Sequence, residues 1–140
     1  MSNPEVAALQ DVLAGEHAAV YVLGVLGAQT SQSQQPALYE RVTAAFVVHR
    51  QRRDELIATL TALGADPVAA EVAYQVPADL STPLEVEAAA LRIERGCAAA
   101  YAYAVANTTG ANRAWQTTAL IDAATREIGF GGAVEILPGL

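Results

Sequence analysis

"LAGEHAAVYVLGVLG", residues 13–27, is almost wholly apolar, yet Glu16 and His17 stand in its middle. Its apolar residues recur at helical spacing, so the stretch reads as part of one long helix. Placed at 100° per residue, Val6, Leu9, Leu13, Val20, Gly24 and Gly27 form an inward stripe. Glu16 falls within that stripe and His17 on its flank. An ionised carboxylate among apolar side chains is costly unless something pairs with it or ligates through it. The fold must therefore bring a partner to Glu16.

Three further segments show the same periodicity, each bounded by Pro, Gly or polar residues. Helix A runs from about Pro4 to Gly27, with Ser2 and Glu5 spaced as a capping box. After the polar loop 28–35, helix B starts near Pro36 and stops at Gly64. Helix C opens on Thr82-Pro83-Leu84-Glu85, the N-cap to N3 of a capping box, and ends near residues 107–112. Helix D follows to about Ile128, where "GFGG" breaks it, and the tail "AVEILPGL" reads as an extended arm. "GFGG" follows a helix rather than a strand, so it is no nucleotide-binding fingerprint.

The connections decide the topology. A–B and C–D are short, whereas residues 65–81 form a long link in which Asp66-Pro67 could start a short helix ending near Tyr74. Such a link can travel the length of a 25-residue helix, about 38 Å. Two antiparallel hairpins joined by a long crossover are the ferritin-type arrangement. The expected fold is thus an all-α four-helix bundle with ferritin-like topology, filling residues 1–140 as a single domain.

Composition narrows the function. The 140 residues are 53% hydrophobic, much of it Ala, and 16% charged, with a formal charge of −7. That surface disfavours nucleic acid and anionic membranes. A single cysteine, Cys97, permits no intrachain disulfide and reads as a buried small hydrophobe in a reducing, cytoplasmic setting. No basic leader and no run of 18 apolar residues stands out, so neither a signal peptide nor a membrane span is expected. Apolar residues off the main stripe of helix A, namely Val12, Ala19, Val22 and Leu26, suggest a surface covered in a homodimer.

On helix B the stripe is Leu38, Val42, Ala45, Leu56, Leu60 and Leu63, with His49 at its centre and Arg52 and Arg53 on either flank. On helix C it is Leu84, Leu91, Ala98, Ala102 and Val105, with Glu94 inside it and Glu87 nearer the start. Glu16 precedes the A–B turn by about as many residues as His49 follows it, so the two share one depth. Glu94 lies near the middle of helix C. The spacing of Leu13, Glu16, Val20 and Leu23 repeats in Leu91, Glu94, Ala98 and Tyr101, a faint internal repeat.

At these residues the chain resembles the ferritin-like superfamily, and "AGEHAAVY" and "HRQRRDEL" look most like its small, uncharacterised actinobacterial branch. Di-iron members use a Glu on the first helix, Glu-x-x-His on the second, a Glu on the third and Glu-x-x-His on the fourth. Glu16, His49 and Glu94 match three of these positions. Phe46 replaces the second-helix Glu, and the expected inward stripe of helix D (Ala114, Thr117, Ile121, Ala124, Thr125, Ile128) offers neither carboxylate nor His. Asp122 is expected to pair with Arg126 at i+4.

The leading expectation is a degenerate, non-catalytic ferritin-like domain with no cofactor and a core network of Glu16, His49, Arg52, Arg53 and Glu94, the arginines balancing the carboxylates. One alternative is a mononuclear iron or manganese site on Glu16, His49 and Glu94. Another is a small-ligand pocket around the same three residues. His17 reads as a helix-flank residue, Tyr21, Tyr101 and Tyr103 as core or interface residues, Glu85 as a cap and Glu127 as a solvated charge.

Overall fold

A computed structural model describes residues 3–140, and helices are the only regular elements among them. They are α1 (Pro4–Gln29), α2 (Pro36–Ala62), α3 (Pro83–Asn107) and α4 (Gly110–Gly129). Three open with proline at the first turn, where its missing N–H costs nothing. The Asn3 side chain caps α1 by accepting from the Glu5 amide at 3.0 Å; the Ser2 capping box lies outside the described residues. Thr82 and Glu85 form the reciprocal capping box of α3. Gly64, at φ +77°, ends α2: its amide donates to the Thr61 carbonyl and that of Ala65 to Leu60. A left-handed residue is needed there, which suits glycine.

α1 packs on both α2 and α3, and α3 on α4, while α2 and α3 scarcely meet. The two hairpins are joined by the expected long crossover, but its middle is extended rather than helical. An extended chain covers more than twice the length per residue, and α1 bonds to its backbone at Asp66 and Val68. Gln10 donates to the Asp66 carbonyl and accepts from the Val68 amide, each at 2.7 Å. His17 Nε2 donates to the Val68 carbonyl at 2.9 Å. Tyr74 meets Tyr21 with ring centroids 5.6 Å apart. The crossover thus climbs α1, and His17 is buried beneath it rather than left on a flank.

The crossover also explains why the wheel misplaces α1. This helix is apolar on all sides, long and apolar enough by length and composition alone to cross a membrane. Here α2, α3 and the crossover each take a face. Val12, Ala19, Val22 and Leu26, expected on an outer surface for a second copy, are buried within the chain, and Gly24 is exposed. The inner face of α4 is likewise not the expected one. It carries Gln116, Ala119, Ala123 and Glu127, while Ala114, Thr117, Ile121, Thr125 and Ile128 are exposed. The hydroxyls of Thr117 and Thr125 bond back to carbonyls four residues earlier, so these side chains meet solvent without unpaired groups. Leu63 and Leu84 are also exposed at helix ends, and Glu127 is buried rather than solvated.

The tail is the expected extended arm only to about Glu135; it then turns, with the Leu140 amide donating to the Leu137 carbonyl at 3.3 Å, and it lies back along α3. The Gly132 amide donates to the Glu127 carbonyl at 2.8 Å. Glu135 stands 3.9 Å from Arg95, and Gly139 abuts the Ala98 carbonyl.

Candidate functional site

Glu16 of α1, His49 of α2 and Glu94 of α3 meet at one depth of the bundle, each with no exposed surface. His49 lies between the carboxylates, Nδ1 at 2.5 Å from Glu16 Oε2 and Nε2 at 2.9 Å from Glu94 Oε1. Burial pushes the pKa of the ring down, but the hydrogen bonds and charges of Glu16 and Glu94 outweigh it, raising the value from 6.5 to about 9. At neutral pH the ring is therefore an imidazolium that donates from both nitrogens.

The second oxygen of Glu16 accepts from the Tyr101 hydroxyl. That hydroxyl in turn accepts from Arg52 at 3.3 Å, with the guanidinium 5.4 Å from the ring centroid. Arg52 also donates to Asp122 at 2.7 Å, and Asp122 accepts from Arg126 at 2.9 Å, the expected i+4 pair. A continuous chain of hydrogen bonds thus runs Glu94–His49–Glu16–Tyr101–Arg52–Asp122–Arg126 and touches all four helices. Its three carboxylates face three cations. Burial raises the Asp122 pKa, but its two arginine partners prevail and hold it below the ordinary carboxylate range.

Arg53 does not join the chain. It shares the flank of Phe46 and Ile57, on the side where the Phe46 ring approaches Gly24. Its guanidinium comes out half-buried at the rim and pairs with the neighbouring Asp54 at 2.8 Å. Tyr101 and Cys97 are the neighbours that the sequence reading did not assign to the site. Glu94, Cys97 and Tyr101 are spaced i, i+3, i+7, one face of α3, and that spacing was the available signal. Burial, followed by the charges of Glu16 and Glu94, pushes the Cys97 thiol well up; burial does the same to the Tyr101 phenol.

Glu16, His49 and Cys97 each offer one ligand atom, all within 4.8 Å of one another. Glu94 Oε2 is buried with no partner among the described residues. A two-metal carboxylate set does not fit. Phe46 stands where α2 would supply a Glu, and the buried polar residues of α4 are Gln116 and Glu127, neither bonded to the cluster. Among the described residues, Glu16, His49 and Glu94 have no exposed surface, whereas the groove of about 620 Å³ between α2 and α4 is lined by Arg52, Trp115 and Asp122.

Residues 8–140 match the family described as Domain of unknown function (DUF4439). The chain belongs to this family. It is similar to a conserved hypothetical protein, Rv2844, from Mycobacterium tuberculosis, whose crystal structure superposes with a TM-score of 0.83. The two share 32% identity, over 91% of this chain and 88% of that one. No curated protein matches. The family thus gives the site a fold and a relative, and leaves its role to the geometry.

Proposed function

We propose that the chain is a degenerate ferritin-like module without catalytic activity, whose Glu16–His49–Glu94 cluster locks the helices in register. The observation that carries this reading is His49 itself: both ring nitrogens are engaged by carboxylates from two other helices, at zero exposure. Arg52, Asp122 and Arg126 complete the charge balance towards solvent. Such a cluster has no open position for a substrate, which suits a structural or interaction role. The test compares denaturant unfolding of His49→Leu with that of the triple variant Glu16→Leu/His49→Leu/Glu94→Leu. Removing His49 takes the cation from two buried carboxylates, whereas replacing the set with apolar residues can be neutral. The lock reading expects a large loss in the single variant and recovery in the triple. A harmless single variant overturns it.

A second reading has its own support. The unpartnered Glu94 oxygen lies on the carboxylate beside His49. That favours a single iron or manganese ion held by Glu16, His49 and Glu94, a donor set those metals accept. Metal analysis of tag-free protein purified without chelator tests it.

A further inference from the structure

The donor atoms gathered around His49 are not carboxylate oxygens alone. Cys97 brings a thiol from α3 to within 4.8 Å of the Glu16 and His49 ligand atoms. We infer that Glu16, His49 and Cys97 form a binding site for one thiophilic divalent cation of the zinc class, with Glu94 orienting the imidazole. The inference shares with the single-ion reading only the premise that the cluster takes one ion; it changes both the ligands and the metal.

The geometry assigns the roles. Glu16 lies against Nδ1 and Glu94 against Nε2, on opposite sides of the ring. One ion cannot take both nitrogens. An ion on the Glu16 side meets Nδ1, the Glu16 carboxylate and the Cys97 sulfur. Glu94 then keeps the Nε2–H bond that fixes the ring, the carboxylate–histidine–metal arrangement common around ligating histidines. Ligand atoms about zinc stand roughly 3.3–3.8 Å apart, given bond lengths of about 2.0–2.3 Å. Donors within 4.8 Å of one another therefore close on an ion by side-chain shifts of about an ångström.

Charge permits the exchange. Without an ion, the cluster holds two carboxylates, one imidazolium and a neutral thiol. Ligation requires the thiolate and the neutral ring, so two protons leave to solvent as one divalent ion enters. The net charge beside Arg52 stays the same, and the outer part of the chain of hydrogen bonds need not change. A thiolate, an imidazole and a carboxylate form a mixed set that suits zinc, whereas manganese prefers oxygen donors.

The test uses the full chain, stripped of metal and titrated with Co²⁺ as a spectroscopic stand-in for Zn²⁺, followed by Zn²⁺ competition. One equivalent should produce a thiolate-to-cobalt charge-transfer band, and Zn²⁺ should erase it. Cys97→Ser should lose the band and bind Zn²⁺ about 100-fold more weakly, at the upper end of what outer contacts alone cost. Arg53→Met should bind as wild type does. Circular dichroism checks the folding of each variant, and Cys97→Ala replaces Cys97→Ser if the serine variant does not fold. If no metal binds stoichiometrically, both this inference and the single-ion reading fall. If Mn²⁺ binds stoichiometrically, followed by its electron paramagnetic resonance, and Cys97→Ser leaves both metals unaffected, only the inference falls.

Discussion

The centre of the bundle and its rim hold the same kinds of charged pair in opposite surroundings. At the centre, His49 and its two carboxylates have no exposed surface. At the rim, Arg53 pairs with Asp54, whose side chain is 61% exposed. Arg52 stands between them, one end on the buried Tyr101 hydroxyl and the other on the partly exposed Asp122. Water can replace a lost partner at the rim and cannot do so at the centre. The cost of breaking a pair should therefore fall steadily from His49 outward, although every pair is a cation against a carboxylate.

The largest expected effect is at the centre. His49→Leu should destabilise by about 3–5 kcal/mol in chemical denaturation, because it strands Glu16 and Glu94. The triple Leu variant should recover most of that loss. A cost below about 1 kcal/mol would place the centre on a par with the rim.

Alkali should act on the centre next. The pKa of His49 is raised on folding, so its contribution is fully present below pH 6.5 and is lost as pH rises through about 9. The groups facing it are Glu16 from α1, Glu94 and Cys97 from α3, and Arg52 beyond Tyr101. The stability difference between wild type and His49→Leu should shrink across that window. A constant difference would contradict the charged ring.

Arg52→Met should cost about 1–2 kcal/mol, since Asp122 keeps Arg126 and Tyr101 keeps Glu16. Arg53→Met should change stability by no more than about 0.5 kcal/mol. A larger loss at Arg53 than at Arg52 would reverse the comparison.

How much of this the sequence shows differs from helix to helix. The stripe of α2 is legible because Arg50, Gln51, Asp54 and Glu55 mark the side facing water; of its expected apolar stripe and His49 only Leu63 is exposed, while Arg53, expected in the core network, comes out at the rim. The shared depth of Glu16 and His49 is legible because a short A–B turn fixes the hairpin register, and that of Glu94 because it stands near the middle of α3. Beyond Asp11, α1 carries no such charged markers on its exposed face and meets three neighbours, so its wheel is hard to orient. α4 packs mainly on α3. Its isoleucines point outward and its Gln116 and Glu127 inward, against the ordinary preference. The Arg52–Asp122 bridge joins residues 70 apart, and local spacing carries no trace of it. The extended crossover depends on Gln10 and His17 supplying hydrogen bonds, a tertiary effect that overrides the local Asp66-Pro67 start signal.

The account's central claim is that His49 is a doubly donating imidazolium locked between two carboxylates. The ¹⁵N chemical shifts of its ring in the metal-free chain read this directly, against His17 as the other histidine. The account predicts that Nδ1 and Nε2 both carry protons at pH 7 and that the ring titrates near pH 9. A neutral ring at pH 7, with one nitrogen bare, would contradict it.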